Sequence, residues 1–342
     1  MTTIRDVARR AGVAPMTVSR SLNQPETVSP ATRRRVLAAV DELKYVPNVV
    51  GQGLRHRRTM VVGFVVSDVS NPFGVQQIQG VSRAARAQGY TVVFAITDGD
   101  PDEELRQIRA LAGRRVDGII LSPVYNTPDA VEFSQGQGIP IVVIDYAMPQ
   151  NDVDVVRCDT REASRELTRY LLNLGHTQIA MLSGNEKIVT AVDRAEGYAD
   201  AMREAGMEPD VTFGDFSVEG GAKGTESLLR RTEPPTAIVT GNNFIALGAA
   251  HTARRLGVEV PSDLSIVTFD NARTDMVLDP FFTGIVQPVM EIAEVATDLL
   301  LDRILGRFEG RGRTRILQTQ FEIHNSTSEK LTDKQRSLRK PT

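Results

Sequence analysis

The 342-residue sequence reads as an α/β protein, with a small helical head and a core of two doubly wound, parallel-sheet subdomains. Three observations predict this. Residues 2–23 hold two short helix patterns that meet at a glycine. From Met60 onward, apolar runs of strand length alternate with amphipathic helices, the pattern of parallel βαβ units whose strands are buried on both faces. Charge is also divided. Residues 1–60 carry eleven Lys and Arg against four Asp and Glu, a net of +7, so residues 61–342 carry −10 in a chain of net −3. A basic head on an acidic body is the footprint of a module that contacts phosphate.

In the head, Ile4, Val7, Ala8 and Ala11 recur at i, i+3, i+4 and i+7, one apolar stripe. Thr3 and Asp6 have capping-box spacing, and Gly12 can end the helix with positive φ. Pro15 suits the first turn of a second helix, where its missing N–H costs nothing. Val18 and Leu22 give that helix an inward face; Met16, Thr17, Ser19, Arg20 and Asn23 fall outward. Two short helices of this kind make a helix-turn-helix whose second helix enters a major groove. Ser29 and Pro30 open a third helix running to about Leu43. Val36, Leu37, Val40 and Leu43 are expected inward, with Arg33, Arg34 and Arg35 outward. The helix breaks at Tyr45–Asn48, because the residue before Pro47 is pushed out of the α region. Residues 48–58 form a basic linker with one large apolar side chain at its middle, Leu54. Gly51 and Gly53 each cost a helix there roughly 1 kcal/mol against Ala.

The core is expected to run strand VVGFVVS, helix 73–88, TVVFAI, helix 102–114, GIILS, helix 128–137 and IPIVVID. A second set follows: helix 161–174, IAMLS, helix 190–205, strand 212–216, helix 218–231, AIVTG, helix 243–256 and LSIVTFD. That count suits two subdomains, with a ligand cleft between them at the carboxyl ends of the strands. Thr314–Phe321 adds a late strand. From Asn325 the chain is polar without core-building pattern and reads as a disordered tail. The organisation is then head 1–47, hinge 48–58, core 59–324 and tail 325–342. Leu331 and Leu338 span one heptad, too few for a coiled coil, so a dimer is expected rather than a tail-joined tetramer.

Other classes fit less well. The single cysteine, Cys158, forbids an internal disulfide, suits a reducing cytosol and reads as a buried, inert thiol. The start MTTIRDVARR has charges where a signal peptide needs an apolar run, and the longest apolar runs are far too short for a membrane span. No GxxxxGK[ST] or GxGxxG follows a strand, and GDFSVEGGAKGT has the wrong spacing for a phosphate loop. His56, His176, His251 and His324 are scattered, with no metal-ligand spacing. No catalytic residue, metal or cofactor is therefore expected, and the location is expected to be cytoplasmic. An enzyme on the same core would be marked by turnover of its ligand. A transport binding protein is opposed by the basic head and the missing signal sequence.

The phrases IRDVARRAGVAPMTVSRSLN, VSPATRRRVLAAVDELKYVPN, GHTQIAMLSG, DRAEGYADAM, NNFIALGAA, DLSIVTFDN and TGIVQP resemble, in order, the lactose-repressor (LacI/GalR) family of bacterial transcription regulators. The resemblance spans residues 2–308. It implies a periplasmic-binding-protein-like core and a homodimer on a pseudo-palindromic DNA operator. By motif match, Pro15, Met16 and Arg20 stand at major-groove-reading positions. Thr17 and Ser19 stand where phosphate is held; Thr3, Asn23, Thr27, Ser29, Thr32 and Asn48 fall at other DNA-facing positions. Leu54 matches the hinge leucine that wedges into the minor groove. The matching effector-site residues are Ser67, Phe73, Asp145, Arg194, Phe216, Asn242, Asp270 and Gln287. Carboxylates, amides, an Arg fork and flat aromatic faces suit a polyol. The PMTVSR helix also occurs in regulators of sugar-acid use. The resemblance thus implies a sugar or sugar-acid effector that releases the repressor from DNA, with a corepressor that promotes DNA binding as the alternative. There are departures. Ala14 replaces a hydroxyl cap, a loss of typically ~1 kcal/mol; Pro15 has no side-chain donor; Asn243 stands where the family often has Asp.

Arg20→Ala is expected to weaken operator binding by about 1–3 kcal/mol, the worth of a bidentate base contact, and to relax discrimination at one base pair per half-site. Arg34→Ala should weaken all sequences about equally. Competition binding at fixed salt separates the two; a uniform loss for Arg20→Ala overturns the assignment.

Overall fold

The structure, a computed structural model, describes residues 2–46, 58–125, 128–146, 152–270 and 281–330. Residues 1–59 and 60–342 form two units.

The first unit is the head. Helix α1 (Ile4–Ala11) starts at a capping box: the Thr3 side chain accepts from the Asp6 N–H, and Asp6 accepts from the Thr3 N–H. It ends at Gly12, whose φ of 65° is left-handed. Helix α2 (Pro15–Asn23) has no side-chain cap at Ala14, as the sequence implies. A 3₁₀ turn (Pro25–Thr27) leads to α3 (Pro30–Glu42), capped by Ser29. Val7, Ala8, Ala11, Val18, Val36 and Ala39 make the small core. Leu37 is a correction: it is 38% exposed, and Ala39 is buried instead. The inward stripe of α3 runs 36, 39, 40, 43, and Leu37 lies about 100° off it. Of the expected hinge, Asn48 and Leu54 lie outside the described residues.

The second unit holds two six-stranded sheets. The first is built from β1 (Val61–Val66), β2 (Thr91–Ile96), β3 (Gly118–Ser122), β4 (Ile141–Ile144) and β5 (Asp154–Cys158), with β11 (Thr314–Leu317) returning beside β5. Its order is β11-β5-β4-β3-β1-β2, and every pairing is parallel. Helices α4 (Pro72–Ala87), α5 (Pro101–Gly113) and α6 (Asp129–Gly136) connect these strands. The second sheet is built from β6 (Ile179–Ser183), β7 (Val211–Phe213), β8 (Ala237–Thr240), β9 (Ser265–Phe269), β10 (Thr283–Val286) and β12 (Gln320–Glu322), in the order β12-β10-β9-β8-β6-β7. Its helices are α7 (Thr160–Asn173), α8 (Val189–Glu204), α9 (Val218–Leu229) and α10 (Asn243–Arg255). Only β12 runs antiparallel among the described strands. Each sheet is covered by apolar clusters on both faces, which is why its central strands are continuous apolar runs.

The chain crosses between sheets three times: after Cys158, after Val286 and between Leu317 and Gln320. The last crossing corrects the single strand expected over Thr314–Phe321, which is two strands in different sheets. Helix α11 (Val289–Ile304), after the second crossing, packs on α4 of the first subdomain. A side chain at Gly80 would come within 2.5 Å of the Ala293 Cβ, so glycine sets that close approach. Strand β2 also departs from expectation. It is an edge strand, and Val93, Phe94 and Ile96 are 38–40% exposed.

The expected disordered tail is corrected for residues 325–330. Ser326 is fully buried; its hydroxyl donates to the Ile266 carbonyl and accepts from the Thr283 N–H. His176 binds the Ser328 carbonyl at 3.0 Å, and the Lys330 N–H donates to the Leu174 carbonyl. Polar residues can be ordered by backbone hydrogen bonds that hydrophobic periodicity does not reveal. Residues 331–342, with Leu331 and Leu338, lie outside the described residues.

Where β11 returns to β5, Asp154 is 1% exposed and ion-paired with Arg303 at 2.9 Å and Arg313 at 2.8 Å. Burial alone would raise its pKa, but hydrogen bonds from the two arginines hold it down at about 2. Its folded pKa lies below the ordinary value, so the stability it contributes is complete above pH about 4 and is lost as pH falls toward 2. Asp154→Ala leaves Arg303 without its carboxylate and Arg313 with Asp302 alone, and should cost about 3–5 kcal/mol in denaturant unfolding at pH 7. The gap between wild type and variant should shrink below pH 4; a gap constant to pH 2 contradicts this account.

Candidate functional site

A cavity of about 280 Å³ lies between the two subdomains. All eight sequence-predicted effector residues line it: Ser67, Phe73, Asp145, Arg194, Phe216, Asn242, Asp270 and Gln287. The first subdomain supplies Ser67 just after β1, Phe73 from the start of α4 and Asp145 just after β4. The second supplies Arg194 from α8, Phe216 before α9, Asn242 at the cap of α10 and Asp270 just after β9. Gln287 sits on the second crossing. Strand ends deliver most of these groups, the usual place for ligands in α/β sheets.

Asp145 and Asp270 occupy equivalent places, each following an inner strand. Both have left-handed backbone, φ 68° and 56°. This conformation is uncommon outside glycine, though Asp tolerates it better than most residues; it turns each carboxylate off the end of its strand. Arg194, 4% exposed, pairs with Asp270 at 3.2 Å, donates to the Gly241 carbonyl and stacks 4.5 Å from the Phe269 ring centroid. Its Nε is buried without a hydrogen-bond partner among the described residues. Gln287 donates to the other Asp270 oxygen. Asp145 accepts from Gln77 at 3.0 Å. Burial first, and then repulsion from Asp270, push its carboxyl up to about 7 against the pull of Arg194 and Gln77. Phe216 has room because a side chain at Gly184 or Gly241 would strike its ring. Asn242 caps α10 through Oδ1, leaving Nδ2 in long contact with the Phe216 carbonyl.

Sequence reasoning missed several wall residues. Asn71 caps α4 and donates across the cleft to Asn243 at 2.9 Å. That is where Asn243 spends its side-chain oxygen. The Asn71-Pro72 pair is a helix-start signal that could have drawn attention to it. Glu104 of α5 is 2% exposed and accepts from the Val124 N–H at 2.7 Å, fixing the loop that carries Val124 and Tyr125 along the cavity. Burial raises its carboxyl to about 7. The Tyr146 hydroxyl donates to the Val124 carbonyl from the same wall. An adjoining cavity of about 330 Å³ shares Asn71, Phe73, Asp270 and Gln287. Cys158 is buried, and desolvation pushes its thiol up to about 12, so it is an inert thiol at neutral pH.

In the head, Pro15, Met16, Arg20 and Asn23 are exposed on α2, while Thr17 and Ser19 are half-buried. The remaining DNA-facing candidates are hydroxyls with local hydrogen bonds. Thr3 bonds Asp6, Thr27 donates to the Gln24 carbonyl, and Ser29 bonds Thr32. Each can still make one further contact at the head's surface. Among the described residues, no cluster of His, Cys, Asp or Glu could hold a metal, and no helix is long and apolar enough to cross a membrane.

A helix-turn-helix head joined to a hinged two-subdomain ligand core defines a DNA-binding regulator. Residues 3–48 match the family described as bacterial regulatory proteins, lacI family, and residues 59–326 match the periplasmic binding proteins and sugar binding domain of the LacI family. The chain belongs to the LacI family: it is a DNA-binding transcriptional repressor with a sugar-binding domain. Catabolite control protein A of Priestia megaterium is 35% identical over 302 residues, 87% of this chain and 91% of the relative. The lac repressor dimer bound to operator and the anti-inducer ONPF superposes with a TM-score of 0.86 at 27% identity, covering 96% of this chain and 99% of the other. The transcriptional regulator CelR in complex with cellobiose gives 0.72 at 32% identity, covering 95% and 100%. These relatives are regulators rather than enzymes.

The raised carboxyl of Asp145 yields a sign. Its folded pKa exceeds the unfolded value, so the ligand-free protein loses stability as pH rises from about 4 through 7. Asp145→Asn removes that penalty. It should raise the melting temperature of the ligand-free protein at pH 8, by about 2–4 °C for each kcal/mol regained, and leave it nearly unchanged at pH 4. Equal shifts at both pH values contradict the assignment.

Proposed function

We propose that this repressor controls carbohydrate-utilisation genes and leaves a pseudo-palindromic operator when a small neutral polyol fills the cavity between its subdomains. The observation that carries this reading is the convergence of Asp145, Arg194, Asn242, Asp270 and Gln287 on one 280 Å³ space. Carboxylates and amides exchange hydrogen bonds with vicinal hydroxyls, and Phe73 and Phe216 offer flat faces to a sugar ring. The charge balance supports a neutral ligand over a sugar acid. Asp68, Asp145 and Asp270 line the cavity, and the one arginine that lines it among the described residues, Arg194, is already held by Asp270. An incoming carboxylate would meet the same repulsion that lifts Asp145.

The homodimer is supported by the exposed apolar edge of β2, Val93, Phe94 and Ile96, beside Val75 of α4. A second copy covering this edge would bury it and block edge-strand pairing with other chains. In the dimer, effector-driven closure would change the spacing of the chains entering the two heads. Hinge residues 48–58, short and glycine-containing, would form a helix only when paired on DNA with Leu54 in the minor groove. A coupling of about 1–3 kcal/mol suffices for such switching.

Thermal-shift screening with neutral sugars and sugar acids, followed by operator release, tests this, because a ligand bound only to the native state raises its stability. Neutral sugars should stabilise the protein and release operator. Asp270→Asn should bind operator normally and no longer respond, and Leu54→Ala should lose operator affinity while ligand affinity holds. Stabilisation by sugar acids alone, or release from Asp270→Asn at the wild-type ligand concentration, rejects the cavity assignment.

A further inference from the structure

The DNA-reading helix opens on apolar side chains. Ala14, Pro15 and Met16 are consecutive and all exposed, Met16 to 45%. They stand in the unit of residues 1–59, whose eleven Lys and Arg against four Asp and Glu give a net of +7. Ala14 makes no side-chain cap bond, and Pro15 brings no backbone N–H. These three side chains therefore carry no N–H or O–H donor to offer a base. Met16 is not part of the head's core; α2 buries Val18 and Ser21 instead.

The N-terminal end of a recognition helix is where side chains meet base edges. In the major groove, base pairs differ in their hydrogen-bonding groups, with one apolar feature, the C5-methyl of thymine. Methionine suits that feature, since its flexible, polarisable thioether adapts to a small apolar knob. We propose that Met16 reads a thymine C5-methyl in each operator half-site, next to the base hydrogen-bonded by Arg20. The proposal rests on α2 being the base-reading helix and adds what the operator must contain. Met16 and Arg20 are four apart on α2, so their Cβ atoms are about 5–6 Å from each other on one face. With 3.4 Å between successive bases of a strand, the two readings fall within about two base pairs.

Selection of the full-length protein on a random-sequence duplex library tests this for any operator sequence. Wild type should enrich a thymine in each half-site, within about two base pairs of the position lost in Arg20→Ala. Met16→Ala should lose the thymine preference and keep the other, and Met16→Leu should keep both. Replacing that thymine by deoxyuridine removes only the methyl group. It should weaken wild-type binding about fourfold per half-site, the worth of one buried methyl, and leave Met16→Ala unchanged. Met16 lies on the surface, and circular dichroism of the variant confirms an intact head. A uridine-insensitive operator, or an effect that persists in Met16→Ala, overturns the proposal. Selection with no sequence preference at all overturns the base-reading role of α2 itself.

Discussion

The core depends on a charge placed where charge is expensive. Arg194 is buried between two subdomains and held by one carboxylate, one carbonyl and the faces of Phe216 and Phe269. A buried cation survives only when it is paired and hydrogen-bonded. Its partner Asp270 ends β9 in a left-handed conformation, and Gln287 of the second crossing secures the other oxygen. The pair thus ties the end of β9 to the second crossing through Gln287. Asp145, facing it from the first sheet, has only an amide for support and is lifted to about 7. The cavity is therefore preorganised on one wall and electrostatically unsatisfied on the other.

That asymmetry leaves an electrostatic cost at Asp145. A ligand that donates to Asp145 relieves a cost already present in the empty protein, and this differential interaction is what can shift a conformational equilibrium. The Asn71–Asn243 bond is a second contact that spans the subdomains. A charged residue at 243 would make that link ionic; the amide makes it neutral. Away from the cleft, the rigid Asp154–Arg303–Arg313 cluster locks the returning strand β11 into the first sheet.

The head obeys a different constraint. Six small residues form its buried core, so caps and turns carry much of the order. Thr3, Asp6, Gly12 and Ser29 fix where helices begin and end. The Thr3 and Ser29 hydroxyls among them are exposed on the head's surface.

The sequence by itself determined the two-part architecture, the helix starts and eight of the residues that line the cavity. Helix caps act over three or four residues, and βαβ periodicity is local, so both are visible along the chain. Asp145, Arg194 and Asp270 are legible through family motifs, since nothing in the spacing of 145, 194 and 270 predicts that they meet. Tertiary structure alone decided the rest. Gln77 and Glu104 sit in ordinary helix positions; Gln77 joins the wall and Glu104 supports the loop behind it only because segments distant in sequence arrive beside them. Leu37 looks inward only while the 100° turn per residue is ignored. Thr314–Phe321 reads as one strand because a change of sheet leaves no trace in apolar periodicity. Residues 325–330 read as disordered because their order rests on backbone and hydroxyl bonds to partners some 40 to 155 residues away in sequence. Hydrophobic pattern reports what a segment can bury; only the assembled fold supplies the partners that satisfy its polar groups.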